Sequence, residues 1–143
     1  MTDQRFMAIA ENVAGLSHCR SVQVGAVIVQ DGAVVSTGYN ATPPGAIGCA
    51  SRGYCHPNAF YCTDPNAPPS RAIHAEANAI AAAARREIST QDATLYCTLE
   101  PCLSCLKLIV GAGIVRVIYR DPLPRSNPAA SEWHKLITLI RTP

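Results

Sequence analysis

The chain contains no apolar stretch of about 18 residues, the length that a membrane-spanning helix needs, so a spanning segment is excluded. Its N-terminus lacks the charged-then-apolar design of a secretory signal, because Asp3, Arg5 and Glu11 interrupt it. It also lacks an excess of either charge: 12 Lys and Arg stand against 10 Asp and Glu, and the basic residues are scattered apart from Arg85-Arg86. A net charge of +2 gives little footprint for a polynucleotide, so neither a nucleic-acid nor a membrane partner is expected. No internal repeat and no low-complexity tract occur beyond the run Ala81 to Ala84. These absences leave a soluble, cytoplasmic protein with one domain over residues 1–143 as the expectation.

What is present is a supply of core residues and an unusual number of thiols. With 48% hydrophobic residues in a chain of 143, a core can be built without disulfides. Seven cysteines are many for a reducing compartment, where clustered Cys and His more often hold metal than form disulfides. A lone cysteine in an apolar stretch, such as Cys97, reads instead as a small buried hydrophobe.

Along the chain, Phe6, Ile9, Ala10, Val13 and Leu16 recur at helical spacing and predict an opening amphipathic helix. Val22 to Val29 and Ala33 to Thr37 flank Asp31-Gly32, a two-residue hairpin signal between antiparallel strands. An irregular Pro- and Cys-rich loop follows at about residues 40–71, with six of the eleven prolines and three of the cysteines, and so much loop calls for a function or an internal staple. His74 to Arg86 is helix-forming, Ala93 to Thr98 strand-forming, Cys102 to Val110 helical and Ile114 to Tyr119 a strand. That sequence makes a right-handed βαβ unit with parallel strands. Trp133, Leu136, Ile137 and Ile140 predict a last helix over Ala129 to Ile140, with no clear fifth strand. The order α-β-β-α-β-α-β-α implies a three-layer α/β/α domain around a mixed central sheet.

Two clusters carry chemistry: His74-Ala75-Glu76 and Pro101-Cys102-Leu103-Ser104-Cys105, each predicted to open a helix. Two thiols three residues apart on a first helical turn share one face, and the unpaired N–H groups there favour thiolate. With one histidine they supply three ligands to a tetrahedral zinc, leaving the fourth position for water, as catalytic zinc requires. Zinc lowers the pKa of such a water to about 7. Glu76, two residues from His74, can then carry protons without ligating the metal. A C-x-x-C pair alone also serves redox sites and zinc ribbons, but a structural four-cysteine site or a redox site leaves His74-Ala75-Glu76 and Pro101 unexplained. H-x-E followed by P-C-x-x-C is the known signature of zinc-dependent nucleobase deaminases.

From about Phe6 to Tyr119 the chain resembles the deoxycytidylate deaminases, within the larger cytidine deaminase superfamily. The resemblance rests on Val24-Gly25-Ala26-Val27-Ile28-Val29, Gly38-Tyr39-Asn40, His74-Ala75-Glu76-Ala77-Asn78-Ala79-Ile80, the Pro101 to Cys105 cluster, and Lys107-Leu108-Ile109 through Ala112-Gly113-Ile114. It implies a hydrolase that converts dCMP to dUMP and ammonia by hydroxide attack at C4. Zinc would be held by His74, Cys102 and Cys105, with Glu76 shuttling the proton to N3. The Ala75 backbone would bond the pyrimidine carbonyl, and Asn40 the sugar or phosphate. The remaining cysteines, Cys19, Cys49, Cys55 and Cys62, suggest a second, structural zinc in the loop, as some deoxycytidylate deaminases carry; His18 or His56 could replace one thiolate.

The same resemblance implies a homo-oligomer, commonly a hexamer, and dCTP and dTTP as effectors, although Ala41 stands where the family usually has glycine in the regulatory loop. Phosphate ligands are not assigned beyond the candidates Arg20, Arg71, Arg120 and Arg125. Thr98 to Cys102 is also typical of tRNA adenosine and guanine deaminases, which are the alternative reading. A zinc-stapled module without activity is the third.

Overall fold

The computed structural model describes residues 2–19, 22–46, 71–124 and 127–143. Among these, helix α1 (Asp3–Ala14) is followed by β1 (Gly25–Gln30), β2 (Ala33–Tyr39), α2 (Ala75–Arg85), β3 (Thr94–Leu99), α3 (Leu103–Gly111), β4 (Arg116–Asp121), α4 (Ala130–His134) and β5 (Thr138–Arg141). The strands form one mixed sheet in the order β2-β1-β3-β4-β5. β1 runs antiparallel to β2 and β3, while β3, β4 and β5 are mutually parallel.

The hairpin forms where its turn chemistry places it. Asp31 and Gly32 both have positive φ, 51° and 75°, the backbone that matches a two-residue turn to the twist of its strands. β1 is buried along most of its length and is therefore central, whereas the outer half of β2 is exposed. Successive side chains of β1, β3 and β4 alternate between two cores. Val27, Val29, Tyr96 and Ile118 pack against Phe6, Met7 and Ala10 of α1. Ala26, Ile28, Leu95, Cys97 and Val117 face α2 and α3 through Ala75, Ala79, Leu106 and Ile109. The three-layer expectation is met, and fully buried Cys97 packs as a small hydrophobe. Among the described residues, no helix is long and apolar enough to cross a membrane.

Two elements depart from the sequence reading. α1 stops at Ala14, so Leu16 is left exposed and the buried face is Phe6, Met7, Ala10 and Ala14. The helix expected over Ala129 to Ile140 ends at His134, and Thr138–Arg141 becomes a fifth strand beside β4. Leu136 and Ile140, two members of the expected apolar stripe, are both exposed, whereas Ile137 is buried and Leu139 half-buried, an alternation of period two. Pairing also satisfies the open edge of β4: Thr138 N–H donates to Val115 O at 2.9 Å and Thr142 N–H to Tyr119 O at 2.8 Å.

Candidate active site

Both predicted clusters open helices at the same edge of the sheet, beyond the C-terminal ends of β2 and β3. His74 is the residue capping α2 from an extended backbone, with φ −63° and ψ 153°. Cys102 caps α3 in the same way, so it precedes the first turn instead of sitting on it. The Cys105 N–H, inside that turn, donates to Cys102 Sγ at 3.4 Å. His74 Nδ1 lies 3.6 Å from Cys102 Sγ and 3.5 Å from Cys105 Sγ, and the three ligand atoms all fall within 4.8 Å of one another.

These distances test the fit to a metal. Zinc bonds of about 2.3 Å to sulfur and about 2.0 Å to nitrogen, at the tetrahedral angle, separate the two atoms by about 3.5 Å. Both nitrogen-to-sulfur separations therefore match those around a tetrahedral zinc ion. The hydrogen bond between the two thiols, aided by His74, holds Cys102 below the ordinary thiol range and Cys105 above it. The hydrogen bond with Cys102 raises His74. A divalent cation held by these three residues would take the place of their protons.

Glu76 is 4% exposed, and burial pushes its carboxyl up towards the neutral form. It lines a small open cavity with His74, Ala75, Cys102, Val24, Asn40, Leu99, Glu100 and Leu123. A carboxyl poised to take and release a proton thus borders the same space as the metal ligands. The Ala75 N–H is among the first of α2, which find no partner inside the helix. Asn40 also reaches the cavity, but its carboxamide holds the backbone: Oδ1 accepts from Val24 N–H at 2.8 Å and Nδ2 donates to Val22 O at 2.8 Å. One further N–H of that amide is left for a ligand by its chemistry.

Of the remaining sequence candidates, Cys19 is half-buried and His18 exposed, while Cys49, Cys55, His56 and Cys62 lie outside the described residues. Arg20 and Arg125 lie outside them as well. Arg120 is engaged at the surface by Glu11 at 2.9 Å and Asp121 at 2.8 Å. Sequence reasoning missed Val24, Leu99, Glu100 and Leu123. Glu100 adjoins the Pro-Cys motif and could have been suspected; the others reach the cavity only through the topology.

The layered α/β scaffold with a His/Cys/Cys centre beside a buried glutamate is that of a zinc-dependent deaminase. A family model described as the cytidine and deoxycytidylate deaminase zinc-binding region matches residues 1–121, and the chain belongs to that family. It is 42% identical over 120 residues to the deoxycytidylate deaminase of Mycobacterium phage D29, covering 82% of this chain and 92% of that one. It is 35% identical over 129 residues to the Schizosaccharomyces pombe enzyme of the same name, covering 90% of this chain but 40% of that longer protein. The crystal structure of cyanophage S-TIM5 dCMP deaminase with dCMP and dUMP superposes with a TM-score of 0.79 at 27% identity, over 99% of both chains.

Proposed function

We propose that the chain hydrolyses the exocyclic amino group of dCMP, giving dUMP and ammonia. The observation that carries this reading is the His74, Cys102 and Cys105 cluster, of which His74 and Cys102 line the same cavity as buried Glu76. The relatives described above favour a cytosine nucleotide over the tRNA adenosine and guanine alternatives. A non-enzymatic module leaves the buried carboxylate without a purpose.

Held by these three residues, zinc supplies a hydroxide nucleophile at neutral pH. Glu76 does the proton work. Its carboxylate takes the proton released when water adds to C4 and passes it to N3; it then takes the proton of the new C4 hydroxyl and hands it to the amino group as the C4–N bond breaks and the C4 carbonyl forms. One water is consumed and one ammonia leaves, so the atoms balance. Burial suits Glu76 to both halves of this exchange, because it brings the acid and base forms closer in energy. In this reading the Ala75 N–H donates to the pyrimidine carbonyl, and the remaining Asn40 amide N–H to the sugar or phosphate.

Incubating the zinc-loaded chain with dCMP, deoxycytidine, dCTP and guanine, with products separated by chromatography, tests the reading. Conversion of dCMP with little of deoxycytidine is expected; failure on all four overturns it. Glu76→Gln is expected to lower kcat by about 10²- to 10⁴-fold with zinc retained. Activity near the wild-type rate would remove Glu76 from the mechanism.

The reading extends to a second, structural zinc on Cys19, Cys49, Cys55 and Cys62, with His18 or His56 able to replace a thiolate. Elemental analysis is expected to give two zincs per chain, and one zinc in a fully active preparation overturns this part. A hexamer is expected by light scattering, and a stable monomer counts against it. We place the enzyme in the cytoplasm, feeding thymidylate synthesis. For dCTP and dTTP as effectors, a groove of about 370 Å³ between β2 and α2, bordered by Tyr39, Ala41, Asn78 and Arg85, has the size a nucleotide needs. Ala41 pairs with Ile73 there through two backbone hydrogen bonds of 3.1 and 2.8 Å.

A further inference from the structure

We infer that Glu100 is a positioning residue, pinning Leu123 as the apolar wall that fits the catalytic cavity to its substrate base. The inference rests on the cytosine-nucleotide reading above. Glu100 lies between the end of β3 and the zinc ligand Cys102, and it grips the segment leaving β4 twice. Its backbone N–H donates to Asp121 O at 2.8 Å, and its Oε2 accepts from Leu123 N–H at 3.0 Å.

The local sequence explains why one hydrogen bond matters. Leu123 stands between Pro122 and Pro124, neither of which has an N–H. The Leu123 N–H is therefore the single backbone donor of the tripeptide, and Glu100 takes it. The two rings restrict the backbone on either side of Leu123, so fixing this donor fixes the direction of the segment. Leu123 is half-buried and borders the cavity with Val24 and Leu99, alongside the hydrogen-bonding and metal-ligating groups. A flat heteroaromatic ring needs such apolar contact on its face while its polar edge is read elsewhere.

Glu100 is not one of the grouped metal-ligating residues, and its Oε2 is engaged by Leu123 N–H, so on this inference its removal acts through Leu123 on substrate binding. The test uses the full zinc-loaded chain and dCMP. Leu123→Ala is expected to raise KM about tenfold with kcat little changed, the effect of losing uniform contact in an apolar pocket. Glu100→Ala is expected to do the same, and Glu100→Gln, whose amide oxygen can still accept from Leu123 N–H, to restore the wild-type KM. The double variant Glu100→Ala with Leu123→Ala is expected to be no worse than either single one, because both remove the same wall.

Fully additive losses, a Glu100→Gln as impaired as Glu100→Ala, or a fall in kcat accompanied by zinc loss each overturn the inference. So does an active wild type whose KM is indifferent to both single changes, and that outcome leaves the cytosine-nucleotide reading standing. A wild type inert towards dCMP overturns that reading first, and the inference with it.

Discussion

Adding one methyl group to Gly38 should disturb both the fold and the chemistry, although the residue touches no substrate. α2 lies directly on β2: a Cβ at Gly38 would meet Ala75 O and Ala79 N and come 2.9 Å from Ala79 Cα. Carbon atoms pack at about 3.5–4.0 Å, so Gly38→Ala forces helix and strand apart by roughly 0.6–1.1 Å. Two hydrogen bonds span that gap, from Ser36 Oγ to Ala79 O at 2.7 Å and from Asn78 Nδ2 to Tyr39 O at 2.8 Å, and both would lengthen. Overpacking of this kind costs about 1–3 kcal/mol of stability. His74 and Glu76 travel with the start of α2, while Cys102 and Cys105 sit at the start of α3. A displacement near 1 Å at a site that tolerates about 0.5 Å lowers kcat/KM on the order of 100-fold. Urea unfolding, zinc content and steady-state kinetics on dCMP read the three effects. An unchanged urea midpoint refutes the close-approach argument. A lowered midpoint with full activity refutes the coupling, because the exposed edge strand β2 would then have moved instead of α2.

Gly111→Ala is the matching control: at the last position of α3 a new Cβ meets nothing within 4 Å and φ is not positive, so stability should rise by about 0.4–1 kcal/mol in the same urea experiment, with activity unchanged. Asp3 is held below the usual carboxylate range by the hydroxyl of Tyr96 at 2.7 Å and by Arg116 at 3.0 Å, which together staple α1 to the sheet. A carboxyl depressed by folding contributes stability above its unfolded pKa and loses it as pH falls through the folded value. Because the Arg116 and Asp3 side chains are 35% and 44% exposed, Asp3→Asn should cost less than about 1 kcal/mol at pH 7. That difference should shrink as unfolding is repeated from about pH 5 down to about pH 3, below the ordinary aspartate pKa near 3.9; a gap independent of pH would refute the ionic origin. Cys102→Ser, or a chelator on the wild type, should remove the catalytic zinc and the activity together and lower the unfolding midpoint, and zinc should restore the chelated wild type. Full activity after verified removal of all metal would overturn the metal assignment.

The parts of this molecule that are legible in its sequence are those decided by a few adjacent residues. Asp31-Gly32 specifies its turn through the backbone it permits, and the β3-α3-β4 unit follows from elements that are neighbours in the chain. The C-terminal segment misleads because Trp133, Leu136, Ile137 and Ile140 satisfy a helical period and Ile137 to Ile140 also satisfy a strand period. The vacant edge of β4 decides between them, and that edge is a property of the assembled sheet.

The site divides along the same line. Zinc ligation and proton transfer demand particular side chains, and the proposed ones stand at or beside helix starts, so the grouping of His74, Glu76, Cys102 and Cys105 is legible in two short motifs. The cavity walls obey no such demand. Val24 precedes β1, Leu99 ends β3 and Leu123 follows β4; they meet because β1 and β4 flank β3 in opposite directions, and any apolar residue at those places could form a wall. Asn40 shows the same distinction within one residue, since its bonds to Val22 and Val24 hold the chain at the cavity rim before any ligand arrives. The chemistry is thus legible in short motifs, whereas the cavity walls follow from strand order and, on the inference above, from one carboxylate holding a proline-flanked leucine.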